Sequence, residues 1–202
     1  MRLKLPRKYY LNEDVTRISR DLIGKVLVSR IGGKLTSGII IETEAYNGVN
    51  DKASHAYGGR RTERNRVMYS EGGRAYVYLC YGVHHLFNVV TGRKDVPQAV
   101  LIRAIKPADG IRAMLKRRGK EEIFKAFSDG PGTTAEALGI TTRYSGEPLT
   151  ANRIWIEERG VIIDRKNITA GPRIGVSYAG EDAQLPYRFR LNEDAIKMLK
   201  YE

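Results

Sequence analysis

Cysteine is almost absent from this chain: Cys80 is the one thiol among 202 residues. That excludes an intramolecular disulfide and any zinc site built on cysteine, and it suits a reducing cytoplasm. Histidine is scarce as well, with three residues. No stretch approaches the roughly 18 consecutive apolar residues of a membrane span, so no membrane partner is expected. Residues 1–20 are basic and polar and lack the apolar core of a signal peptide. Acidic residues are in deficit, 23 Asp and Glu against 35 Lys and Arg, which leaves a formal charge of +12. What is present is ordinary for a folded globular chain, 42% hydrophobic and 29% charged. The length fits one domain covering residues 1–202 with a sizeable core.

The charge excess favours a polyanionic partner, because neutralising phosphates releases counterions; solubility alone is the competing reason. Gly58-Gly59-Arg60-Arg61-Thr62-Glu63-Arg64-Asn65-Arg66 packs four arginines into a loop-like stretch opened by glycine. Lys116-Arg117-Arg118-Gly119-Lys120 runs straight into Glu121 and Glu122 and reads as a solvated helix end.

Pattern and punctuation predict a helix capped at Asn12, with Val15, Ile18 and Leu22 at helical spacing and a stop at Gly24. Strands are expected over 25–31 and, after a Gly32-Gly33 turn, over 34–46. Three more follow over 76–80, 86–91 and 99–105, short-linked and therefore antiparallel. Asp109 is expected to cap a helix reaching Arg118, and 123–127 to lie in another. Thr133 and Glu136 have capping-box spacing. A hairpin is expected from 153–158 to 161–164, a strand over 171–179, and a helix over 193–200 capped by Asn192. Runs of strands with helices before, between and after them indicate an α+β fold.

Three segments carry chemistry. In Gly38-Ile39-Ile40-Ile41-Glu42-Thr43-Glu44-Ala45-Tyr46 the apolar run implies burial on both faces, yet two carboxylates follow at once. A period of two puts Glu42, Glu44 and Tyr46 on the same side. Carboxylates at the mouth of a buried strand are costly unless paired, so they are ion-pair members or active-site groups. A partly buried carboxylate in such a place can serve as a general base. Asp51-Lys52-Ala53-Ser54-His55 follows nearby. Glu42, Glu44, Asp51 and His55 could form a carboxylate–histidine metal site, but their spacing matches no recognised metal motif. Tyr76-Val77-Tyr78-Leu79-Cys80-Tyr81-Gly82-Val83-His84-His85 describes a strand entering a tight hairpin, with Tyr76 and Tyr78 on one face and Tyr81 on the other or at the tip. Such tyrosines pack in sheets; one projecting from a tip in a basic protein can also wedge between base pairs.

Taken in order, Glu42-Thr43-Glu44-Ala45-Tyr46, Ala53-Ser54-His55, Gly58-Gly59-Arg60 with Arg64-Asn65-Arg66, Tyr76-Val77-Tyr78 with Tyr81-Gly82, Asn88, Leu101-Ile102-Arg103-Ala104, Gly130-Pro131 and Arg173-Ile174-Gly175-Val176 resemble the alkyladenine (3-methyladenine) DNA glycosylase family. The likeness runs from about Leu22 to Phe189. It implies a mixed domain around a curved antiparallel sheet with flanking helices. It also implies a monofunctional enzyme that flips alkylated or deaminated purines out of damaged double-stranded DNA and hydrolyses the N-glycosidic bond with an activated water, initiating base excision repair. On that resemblance Glu44 is the catalytic base and Arg103 helps position the water. Tyr46, His55 and Tyr78 hold the flipped base, and Asn88 crowds the exocyclic amino group of guanine. Tyr81 fills the vacated stack, while Thr62, Arg64, Gly82 and His84 lie at DNA contacts. No metal, no organic cofactor and no obligate protein partner are implied, and a monomer is expected. Two departures stand out. Thr133 and Thr134 occupy the stretch where many relatives carry Lys after Gly-Pro, and His84-His85 replaces a bulkier pair.

Overall fold

The computed structural model describes residues 2–199. Its centre is one nine-stranded, wholly antiparallel sheet that curls into a half-barrel. In chain order the strands are β1 (Leu3–Lys4), β2 (Val26–Ile31), β3 (Lys34–Tyr46), β4 (Ala75–Cys80), β5 (His84–Thr91), β6 (Gln98–Pro107), β7 (Ile154–Glu158), β8 (Ile168–Gly171) and β9 (Arg188–Leu191). They run β1-β7-β2-β3-β6-β5-β4 across the sheet, with β9 on β3 and β8 on β9. The α+β expectation holds, and β3 spans the residues the sequence pattern assigned to it.

β3 is the organising strand. Its first half pairs with β2, from Ile31↔Lys34 to Val26↔Ile39, and its second half with β9, Glu42↔Arg190 to Glu44↔Arg188. β6 lies along the other edge, and the β3–β6 register slips twice, around Ile41 and around Arg103. Ile40 faces Ile105, Glu42 faces Ala104 and Thr43 faces Ile102, so Ile41 and then Arg103 are extra residues. Such bulges bend a strand and re-aim a side chain. Here the second one carries Arg103 between Glu42 and Glu44.

Among the described residues four α-helices flank the sheet: α1 (Val15–Asp21), α2 (Ile111–Arg118), α3 (Pro131–Leu138) and α4 (Glu193–Met198). The core under them is largely aliphatic, with Leu22, Leu27, Ile39, Ile40, Ile102, Leu138 and Ile156 essentially sealed from solvent. A smaller cluster of Ala56, Met68, Tyr69, Tyr76, Val90 and Ala99 packs on the side where the arginine-rich loop returns.

The helix starts differ from the sequence pattern for local reasons. Asp14, not Asn12, caps α1, accepting from Arg17 N–H at 2.9 Å, while Asn12 Oδ1 accepts from Asp14 N–H. Asp109 is engaged by Ser37 and Arg159, and α2 instead begins at Gly110, whose φ of 76° and 2.2 Å approach of a hypothetical Cβ to Leu35 O leave room for glycine alone. α3 starts at Pro131, so Thr133 turns its hydroxyl to Gly130 O and Glu136 pairs with Arg118; no capping box forms. The helix expected over 123–127 does not form: residues 123–124 are irregular and 125–128 are a turn. β7 finds its partners in β1 and β2 and not in 161–164. The strand expected over 171–179 does not form: only Gly171, the end of β8, is in a strand, residues 172–176 are irregular with Gly175 at φ 76°, and Ser177–Gln184 is a 3₁₀ segment kinked at Gly180 (φ 59°). Asn192 caps α4 through Ala195 N–H at 2.8 Å, and the part of that expected helix at Lys200 lies outside the described residues.

Candidate active site

The face-sharing expected from β3 is realised. Glu44 is fully buried, 0% exposed, at the floor of a cavity of about 540 Å³, within the roughly 300–1,000 Å³ typical of ligand sites. Its Oε1 accepts the Ile174 N–H at 2.8 Å and lies 3.4 Å from Arg103 Nη1; its Oε2 accepts the Tyr46 hydroxyl at 2.9 Å. Burial raises its pKa above the ordinary carboxylate range. Arg103, the Ile174 amide and Tyr46 pull the other way and moderate the rise, and Glu42 adds to it. The guanidinium therefore steadies an anion that its surroundings resist.

The aromatic side of the cavity is made by β4 and the segment before the arginine-rich loop. His55 packs edge-on to Tyr78 at 4.7 Å between ring centroids, and Tyr78 lies tilted over Tyr76 at 5.4 Å. His55 Nδ1 and the Tyr76 hydroxyl share a hydrogen bond of 2.8 Å. Burial first, then Arg64 and Arg60, depress the His55 pKa to about 4, so the ring is neutral at neutral pH. Tyr46, Tyr78 and His55 all line the cavity, as does Asn88 from β5. Both N–H groups of the Asn88 amide have carbonyl partners, Tyr76 O at 3.1 Å and Leu86 O at 3.3 Å, so its oxygen is what remains for a ligand.

At the cavity mouth β4 turns into β5. Tyr81 (φ 50°) and Gly82 (φ 72°) both take the left-handed conformation, closed by Val83 N–H donating to Cys80 O at 3.1 Å. Positive φ at both central residues is the signature of the mirror-image turns that match strand twist. Holding a tyrosine there costs backbone strain, and Tyr81 is 91% exposed, so no packing explains it. His84 is exposed beside the tip; a Cβ on Gly132 of α3 would come within 3.1 Å of its ring, so α3 approaches the hairpin closely. His85 Nδ1 accepts Thr142 N–H at 3.3 Å, tying the hairpin to the next turn. Thr62 and Arg64 are exposed on the arginine-rich loop, Arg64 stacking 5.0 Å over Tyr78 and donating to Leu79 O.

Glu44, Arg103, Tyr46, His55, Tyr78 and Asn88 therefore line one cavity with Arg64, Tyr81 and Gly82, while Glu42, Asp51, Thr62 and His84 lie outside its lining. Several organising groups carried no role in the sequence reading. Asn65, 1% exposed, donates to His55 O and Arg60 O and accepts from Thr62 N–H, knotting the loop to the aromatic wall. Asp51, weighed in the sequence only as a metal-site candidate, binds Arg173 through its carboxylate at 2.5 and 2.8 Å in a pair sealed from solvent. Arg173 in turn presents the Ile174 amide. A backbone N–H leaves no trace in side-chain pattern, and only the quoted Arg173-Ile174-Gly175 motif hinted at it. Among the described residues no cluster of His, Cys, Asp and Glu is placed to hold a metal ion.

The family described as methylpurine-DNA glycosylase matches residues 9–195. Proteins named "Putative 3-methyladenine DNA glycosylase" are similar over nearly their whole lengths. That of Chlamydia felis is 49% identical over 189 residues, 93% of this chain and 96% of the relative. Those of Chlamydia pneumoniae and Bacillus anthracis are 44% and 45% identical, covering 96% and 93% of this chain and 99% and 95% of the relatives.

Proposed function

The chain belongs to the methylpurine-DNA glycosylase family, hydrolases of N-glycosyl bonds acting on methylated purines in DNA, and from that premise we propose how it works: as a monofunctional, water-using, base-flipping enzyme. The observation that carries the reading is the fully buried Glu44, held by Tyr46, Ile174 and Arg103 at the floor of a cavity whose mouth bears the exposed Tyr81.

A base inside a duplex is out of reach, so the nucleotide is extruded at a cost of a few kcal/mol. Tyr81 fills the gap and slows the base's return. The arginine-rich loop, with Thr62 and Arg64, and the tip residues Gly82 and His84 grip the backbone without reading sequence. In the cavity the faces of Tyr46 and Tyr78 favour a cationic alkylpurine by about 0.5–2 kcal/mol. The methylated base is already a good leaving group; the demand falls on the sugar, where oxocarbenium-like charge develops. Ionised Glu44 stabilises that charge and takes a proton from the incoming water, which Arg103 helps to place. Among the described residues no lysine lines the cavity, which fits hydrolysis without strand cleavage. The enzyme acts alone, as a monomer working on DNA in the cytoplasm; no described helix is long and apolar enough to cross a membrane.

A duplex carrying 3-methyladenine or hypoxanthine, incubated with and without EDTA and then treated with alkali, tests this. Base release indifferent to EDTA is expected. Binding without release would make the protein a recognition module, and scission abolished by EDTA would make it a nuclease. Tyr81→Ser should slow release from duplex while leaving the melting temperature unchanged, because the side chain is in solvent; an unaltered duplex rate removes Tyr81 from the wedge role. Asn88→Ser should open space beside the purine and raise release of guanine from undamaged or N7-alkylated DNA. Unchanged discrimination would place the guanine filter elsewhere.

A further inference from the structure

Beside Glu44 on β3 lies a dense charged cluster centred on a buried carboxylate. Glu42, 2% exposed, meets three guanidinium groups. Arg103 Nε is 3.3 Å and Arg188 Nη1 3.1 Å from its Oε1, and Arg190 Nη1 is 2.7 Å from its Oε2. Arg190 also reaches Asp129 at 3.2 Å. The other buried carboxylate–guanidinium contact beside the cavity, Asp51 with Arg173, is by contrast a single pair. The excess has another consequence. Arg103 sits 3.3 Å from Glu42 and 3.4 Å from Glu44, shared almost evenly between two carboxylates, and its place depends on the balance of their pulls. Arg188 and Arg190 weaken the pull of Glu42.

We propose that Glu42 is a positioning residue for base excision: it fixes the Arg103 guanidinium beside Glu44, with Arg188 and Arg190 keeping Arg103 from being drawn away. With Nε on Glu42 and Nη1 beside Glu44, the N–H groups of Nη2 remain as donors for the water. The inference rests on Glu44 being the base. The bulge at Arg103 serves the same end, since an in-register Arg103 would not fall between the carboxylates. Glu44 faces Glu42 and Tyr46 on β3, Arg103 on β6, Tyr78 on β4, Arg188 across the β9 pairing and Arg173 behind Ile174.

Two variants perturb the balance in opposite senses. Glu42→Gln removes the neighbouring anion that opposes Glu44 ionisation and lets Arg103 swing fully onto Glu44, out of position for the water, whereas Arg190→Gln strengthens the hold of Glu42 on Arg103 and draws it from Glu44. Single-turnover release of 3-methyladenine from methylated duplex is measured against pH, with duplex affinity alongside. Glu42→Gln should lower the plateau rate roughly 10- to 100-fold, the cost of misplacing a positioned group, keep duplex affinity within about twofold of wild type, and move the acid limb to lower pH. Arg190→Gln should move the acid limb to higher pH. A Glu42→Gln plateau at the wild-type level, a lowered plateau with an unmoved limb, or limbs moving the same way in both variants would each overturn the proposal. Should Glu42→Gln fail to fold, the direction of the Arg190→Gln limb decides alone. Glu44→Gln is run in parallel: normal release from it means that the assignment of the base has failed, and not this inference.

Discussion

Glu44→Gln is expected to lose base release by about 10²–10⁴-fold, the usual contribution of a positioned general base, while damaged-duplex binding survives. Glutamine keeps the shape and still accepts the Ile174 N–H, so the cavity floor stays built. What goes is the charge that stabilises the sugar cation and the basicity that activates water. The same substitution should leave the fold as stable as wild type at neutral pH, or more so. Burial raises the Glu44 pKa above its unfolded value, so the folded state binds a proton more tightly than the unfolded state. Stability from this group is therefore complete below the unfolded pKa and falls as pH rises through the folded one, leaving the ionised form as a net cost. Removing the charge removes the cost. Single-turnover release, duplex affinity and melting temperature, measured together, check it. Near-normal release would sink the mechanism, and a large fall in melting temperature would show that Glu44 is a structural ion-pair member.

The part of this site that sequence makes legible is the part governed by strand periodicity. Glu42, Glu44 and Tyr46 share a face because successive strand residues alternate, and an apolar run ending in two carboxylates advertises a buried charge. Tyr76 and Tyr78 follow the same rule. Periodicity also explains what stayed hidden. Ile41 and Arg103 are bulges, defined only by what the partner strand does, so the placing of Arg103 between two carboxylates is a property of the β3–β6 pair. The Ile174 amide is backbone and carries no side-chain signature. Helix starts shift by a residue or two where a good capping side chain is already engaged, as Asp109 is by Arg159. The hairpin expected after Glu158 fails because Leu3 and Lys4, some 150 residues upstream, take the edge of β7. A local pattern cannot announce a distant competitor.

Asp51→Ala should destabilise the protein by about 3–5 kcal/mol, the cost of leaving one member of a buried ion pair without its partner. The Arg173 side chain is sealed from solvent, its Nη1 and Nη2 on Asp51, Ala45 O and Asp182 O, and its plane 4.9 Å from the Tyr46 ring. The Asp51 carboxylate also accepts Asn47 N–H and Ala53 N–H, so the segment leading to His55 loses its tether as well. At roughly 2–4 °C per kcal/mol for a chain of this size, the melting temperature should fall by about 6–20 °C. Base release should fall too, measured well below that melting point, because Ile174 N–H loses its aim at Glu44 Oε1. The double replacement Asp51→Leu with Arg173→Leu separates the two effects. Without an orphaned charge, most of the stability should return, since apolar residues of similar volume substitute for buried pairs at little cost. The rate should stay low, because nothing then holds the 173–176 turn against Glu44. A double variant that regains both stability and rate would mean that the pair serves the fold alone and that the Ile174 amide finds Glu44 without it.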